Sequence, residues 1–86
     1  MITKHYIGKI EERNGEFEYS DKFLFKTKGS PEKYVHKVAS TWRGCKEKFD
    51  ADDGGYWSDC TLIFVGGWDE IPEDDFSVLR KYIPVL

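Results

Sequence analysis

The stretch FDADDGGYWSDC, residues 49–60, gathers the side chains best suited to holding a cation: Asp50, Asp52, Asp53 and Asp59 around Gly54–Gly55. A calcium loop needs oxygen ligands at positions 1, 3 and 5, Gly at position 6 and a bidentate Glu at position 12. Counted from Asp50, positions 1, 3 and 6 of such a loop match, but position 5 is Gly54 and position 12 is Thr61. The set fails at its strongest ligand, and a strand-like sequence follows where a helix should. The stretch reads as an acidic turn with no dedicated metal site.

Soft-metal chemistry has even less to work with. His5, His36, Cys45 and Cys60 are the only candidates, and none lies within the two-to-five-residue spacing of a zinc motif. Nucleophilic catalysis needs a Ser, Thr or Cys beside an oriented base. Cys45 follows a helix rather than opening one, so it lacks the helix N-terminus that lowers a thiol pKa. Gly54–Gly55 and Gly66–Gly67 are isolated pairs, not a phosphate-cradling loop. The chain is therefore read as non-catalytic, with no cofactor.

Charge and aromatic placement point to binding. Residues 22–48 carry eight basic side chains against two acidic ones, a balance of +6, whereas residues 49–76 carry nine carboxylates and no Lys or Arg. Within the acidic stretch Trp57 and Trp68 each follow a Gly pair closely. Rings amid charge resemble the composition of binding hot spots. Asp52, Asp53, Trp57, Trp68, Asp69 and Glu70 are accordingly the candidate contacts of an acidic surface that docks on another protein, as a regulator, inhibitor or accessory subunit would. The alternative uses the basic face of the first helix. Lys33, His36, Lys37 and Arg43 could there track a nucleic-acid backbone, with sheet aromatics stacking bases. The oppositely charged segments also allow a homodimer.

Composition bounds these readings. Eighty-six residues hold one domain, residues 1–86. The net charge of −3 argues weakly against a general nucleic-acid binder. Fourteen aromatics, 16% of the chain, let a small core bury much area and argue against disorder. No apolar run approaches the ~18–20 residues of a membrane span, so no membrane partner is expected. The N-terminus lacks the apolar block of an export signal, and reduced thiols in a cytoplasmic setting are the expected state, with a Cys45–Cys60 disulfide as the alternative.

The elements that must position these residues follow from periodicity. Alternation over residues 3–12 predicts a strand, with Tyr6, Gly8 and Ile10 on one side. Asn14-Gly15 predicts a tight hairpin that sets Ile10 opposite Tyr19 and Tyr6 opposite Phe23, with Phe17, Tyr19, Phe23 and Phe25 all on one core face. Residues 30–44 predict a helix: Ser30 caps it, Pro31 opens it and Gly44 closes it. Its apolar stripe is Tyr34, Val35, Val38, Ala39 and Trp42, and His36 falls on the wet side. YWSDCTLIFV reads as a third strand, and Gly66–Gly67 as a turn into a short fourth, WDEI. A second helix is expected over about 73–82, opened by Pro72 and stopped before Pro84. The order is ββαβ(β)α: an α+β fold, an antiparallel three- to four-stranded sheet with two helices packed on one side of it.

Overall fold

The computed structural model of the chain describes residues 2–44 and 48–86, with the backbone alone described at Arg43. The order is ββαββα, an α+β fold with a four-stranded antiparallel sheet. Strand β1 (Lys4–Asn14) and strand β2 (Phe17–Thr27) form the expected hairpin. Its register differs from the expected one by two residues: Tyr6 faces Phe25 and Ile10 faces Asp21. The two turn residues are Gly15 and Glu16, because Asn14 itself pairs with Phe17. Gly15 has φ +60° and Glu16 is not among the positive-φ residues, the pattern of a turn with Gly at its first central position. Asn14 instead reaches from β1 across the sheet, its Nδ2 donating to Thr61 Oγ1 at 3.2 Å.

The reason for this register lies at Gly8. Phe23 faces Gly8, and a Cβ there would stand 2.6 Å from Phe23 Cζ. The fully buried Phe23 ring thus occupies the room left by the absent side chain. One pair further on, the Tyr6 and Phe25 rings stack at 5.0 Å. A shift of two residues keeps side-chain parity, so the same aromatics still face one side.

Helix α1 (Pro31–Thr41) begins as the sequence indicates, with Ser30 accepting from the Lys33 N–H and Pro31 in the first turn. It closes earlier than expected, at Thr41, and a 3₁₀ turn over Trp42–Gly44 follows. Val35 and Ala39 are buried, with Tyr34, Val38 and Trp42 packed beside them. This stripe meets Tyr6, Ile10, Phe23, Phe25, Tyr56 and Ile63 to make the core. A column of rings runs Tyr6, Phe25, Tyr34, with Tyr34 4.5 Å from Phe25.

YWSDCTLIFV is a hairpin rather than one strand. Strand β3 (Tyr56–Ser58) turns at Asp59–Cys60 into strand β4 (Thr61–Ile71). Asp59 has φ +54°, a left-handed conformation that Asp tolerates better than most residues. Nor is Gly66–Gly67 a turn. Strand β4 continues through it, and the pairing with β1 slips there, Ile10 facing Val65 and Lys9 facing Gly67. Gly67 takes φ +133°, which fits a glycine bulge. The sheet order is β2-β1-β4-β3.

Helix α2 spans Glu73–Leu79, shorter than expected. The following residues continue as turns, Tyr82 and Ile83 both donating to the Leu79 carbonyl. The expectation that both helices share one side of the sheet is corrected. Phe76 packs its ring edge on His5 at 4.8 Å, and His5 alternates with Tyr6, so α2 lies against the face opposite α1. On that second face Leu24 is fully buried. Its N–H donates to the Pro84 carbonyl and its carbonyl accepts from Leu86 N–H, so the C-terminal residues run parallel beside β2 at this point. No described helix is long and apolar enough to cross a membrane.

Candidate functional site

The acidic turn is built on its own backbone. Asp50 Oδ1 accepts from the N–H groups of Asp52 and Asp53 at 3.0 and 3.1 Å. Its backbone N–H donates to the Gly55 carbonyl, and its carbonyl accepts from Gly54 N–H. An Asp side chain that satisfies the next two amides forms an Asx turn, so Asp50 works as a structural residue. That leaves Asp52 and Asp53 on the outside, both exposed. Asp53 Oδ2 accepts a 2.9 Å bond from Trp57 Nε1. Trp57 is 37% exposed and follows buried Tyr56 on β3, so alternation sends it away from the α1 side of the sheet. Asp52, Asp53 and Trp57 thus form one group, with exposed Asp59 at the adjoining hairpin turn.

Trp68, Asp69 and Glu70 do not join it. Trp57 pairs with Leu62, six residues before Trp68 on β4, a separation of roughly 15–20 Å along the strand. The bulge also places Trp68 and Glu70 opposite Gly8 and Tyr6, on the α1 side, whereas Asp69 faces Ile7 on the other side. Glu70 holds Lys4 at 3.6 Å, both side chains being more than half exposed, so the pair adds little stability. The six acidic-surface candidates therefore do not form one surface: Asp52, Asp53 and Trp57 lie together near one end of β4, while at its other end Trp68 and Glu70 stand on one face of the sheet and Asp69 on the other. Exposed Glu73, Asp74 and Asp75 follow on α2, which packs on the face that carries Asp69.

Of the basic-helix candidates, Lys33 and Lys37 are exposed one turn apart. The placement of His36 on the wet side is corrected. The residue is half-buried, its Nδ1 lies 3.3 Å from Tyr56 Oη, and its ring meets Phe49 edge-on at 5.7 Å. The apolar stripe of α1 is wide enough to draw His36 onto the loop that leads into β3. Arg43's side chain, Lys46 and the Cys45–Cys60 pairing lie outside the described residues.

The expectation that Phe17 and Tyr19 join the core is corrected, and one buried residue was not singled out in the sequence. Phe17 and Tyr19 are 66% and 53% exposed, although they share the parity of buried Phe23 and Phe25. The core cluster beneath α1 reaches only Phe23 and Phe25 of β2, and the hairpin projects beyond it. Glu12 is 1% exposed, facing Ile63 and Tyr19 across its two neighbours. Its even number, in step with Tyr6, Gly8 and Ile10, was the available signal. No buried side-chain oxygen or nitrogen among the described residues lacks a hydrogen-bond partner.

No group of three or more His, Cys, Asp or Glu side chains among the described residues is arranged to hold a metal ion. Cys60 is an exposed free thiol at a hairpin turn. Comparison of the chain with protein-family models, with curated proteins and with solved structures gave no match.

Proposed function

We propose that the chain is a non-catalytic protein that binds another protein, with Trp57 and the acidic turn as the contact. The observation that carries this reading is the 2.9 Å bond from Trp57 Nε1 to Asp53 Oδ2. It fixes a large ring that is still 37% exposed. An indole already held in place loses little conformational freedom on docking, which is the advantage of a preorganised anchor. The carboxylates of Asp52, Asp53 and Asp59 around it favour a basic partner surface and speed the encounter with it. Trp68, Asp69 and Glu70 lie apart from it and are not needed by this reading.

The test is capture of proteins from nuclease-treated lysate of the source cells on the immobilised chain. Binding to the captured partner is then measured for variants. Trp57→Ala should cost about 2 kcal/mol, ~30-fold in affinity. Asp52→Asn with Asp53→Asn should weaken binding about tenfold and flatten its salt dependence. Trp68→Ala should leave it unchanged. A partner held equally well by Trp57→Ala would overturn the reading. So would recovery of nucleic acid alone, lost at high salt, which would move the site to Lys33 and Lys37.

A further inference from the structure

The sheet face opposite α1 is covered by α2 and the C-terminal residues only at its His5–Leu24 end. Beyond them lies a hollow of about 390 Å³, lined among others by Ile7, Lys9, Lys22, Gly66, Gly67 and Asp69. That volume is in the range of small-molecule sites, about 300–1,000 Å³. Glycine opens it. A Cβ at Gly66 would stand 2.9 Å from Lys9 Cγ and 3.0 Å from Glu11 Cγ. Gly66 is not among the positive-φ glycines, so what it provides is room for the Lys9 stem rather than an unusual backbone. Glycines inside a strand often mark a close approach of this kind. The Lys9 stem lies on bare backbone, and its ammonium is held by Glu11 at 3.1 Å. Lys9 is thereby positioned before any ligand arrives.

Lys22 stands directly opposite Lys9. Leu24 turns its N–H and C=O outward, to Pro84 and Leu86, and alternation turns those of Lys22 outward too. Lys9 and Lys22 are thus a non-hydrogen-bonded pair, the closer kind, with Cα atoms roughly 4.5 Å apart. Like charges so placed repel. Lys22 makes no ion pair among the described residues, so nothing there offsets the repulsion on its side.

We propose that the hollow binds a small phosphorylated polyol or sugar, its phosphate bridging Lys9 and Lys22. A dianion between two ammonium groups turns their repulsion into attraction, and lysine binds phosphate as a point charge. Asp69 selects the rest of the ligand. Its carboxylate lines the same hollow, two residues along β4 from the Gly67 that faces Lys9, and makes no ion pair among the described residues. It repels a bare anion but accepts a hydrogen bond from a hydroxyl. A hydroxylated phosphate ester is therefore preferred to inorganic phosphate. The site uses none of Asp52, Asp53 and Trp57, so this proposal and the protein-binding reading stand or fall separately.

The experiment is titration of the full chain with glycerol phosphate and with inorganic phosphate, followed by amide NMR shifts. Ionic strength is held constant, at a pH about 1.5 above the second phosphate pKa of about 6. The wild type should bind glycerol phosphate with a Kd of about 1 mM, more tightly than inorganic phosphate, with shifts confined to the residues lining the hollow. Lys9→Gln and Lys22→Gln should each weaken binding about tenfold. Without phosphate Lys22→Gln should melt no lower than the wild type, since it removes a repulsion, so its lost binding is not lost fold. Asp69→Ala should bind inorganic phosphate more tightly and lose the preference for the ester. Shifts spread equally over Lys26, Lys28, Lys33 and Lys37 would mean general attraction of anions and overturn the proposal. So would binding that survives Lys22→Gln unchanged, or a wild type that holds the ester no better than phosphate.

Discussion

Gly8 shows how one missing side chain can set the pairing of a whole hairpin. The Phe23 ring lies where a Cβ at Gly8 would be, and both residues are buried. Gly8→Ala forces a rigid ring in a packed core to move, so overpacking should cost about 1–3 kcal/mol. A urea titration should show the midpoint falling with the slope unchanged. An unchanged midpoint would mean that the hairpin register does not depend on this contact. Asn14-Gly15 carried the standard hairpin signal, yet the turn moved one residue on, since seating Phe23 on Gly8 outweighs local turn preference. Parity was legible from the residues alone, and register was not. The burial of His36 and the exposure of Phe17 and Tyr19 were hidden for a related reason. Both depend on how far α1 extends over the sheet, which no local pattern encodes.

At the scale of elements, the bulge in β4 decides which residues reach which face. Without the extra residue at Gly66–Gly67, Trp68 would follow Leu62 and Phe64 onto the face opposite α1. With it, Trp68 and Glu70 stand on the α1 side, facing Gly8 and Tyr6. The two glycines should respond differently to substitution. Gly67 holds φ +133°, a region side chains rarely adopt, so Gly67→Ala should cost about 1–3 kcal/mol. A Cβ at Gly66 meets chiefly the flexible methylenes of Lys9 and Glu11, so Gly66→Ala should cost less. Thermal melts of the two variants give the order, and equal losses would mean that backbone conformation is not what holds the bulge. The sequence did announce that Gly66–Gly67 was special. It did not say whether the chain turns there or continues, since glycine serves both, and only the partner strand β1 resolves it. Helix α1 was legible at its start, because Ser30 and Pro31 act within their own turn. Its early end at Thr41 was not.

At the scale of the molecule, the two faces of the sheet are closed by different means. Helix α1 covers one. On the other, α2 and the residues near 84–86 cover only the end bearing His5 and Leu24. Tyr34 joins the two, its ring stacked on Phe25 and its hydroxyl donating to the Leu86 carbonyl at 2.6 Å. Tyr34→Phe keeps the stack and loses the bond, for about 1 kcal/mol of stability. Amide exchange should quicken most at Leu24 and Leu86, whose bond this anchor steadies. Uniform quickening across the sheet would assign Tyr34 a global role instead. The antiparallel sheet and the two helices were legible from periodicity. Their distribution over both faces was not, since Phe76 finds His5 only after the chain has folded.

The central pairing of the sheet carries a further consequence, one of time rather than of energy. Strands β1 and β4 are neighbours although their paired residues are separated by 49 positions at Arg13–Leu62 and by 66 at His5–Ile71. The two hairpins, by contrast, close over two residues each. Local pieces can form within microseconds, but the seam between them must wait for a long chain segment to close. The rate at which this small domain matures is therefore set in the middle of its sheet, and until that seam closes both hairpins present open edges to their surroundings.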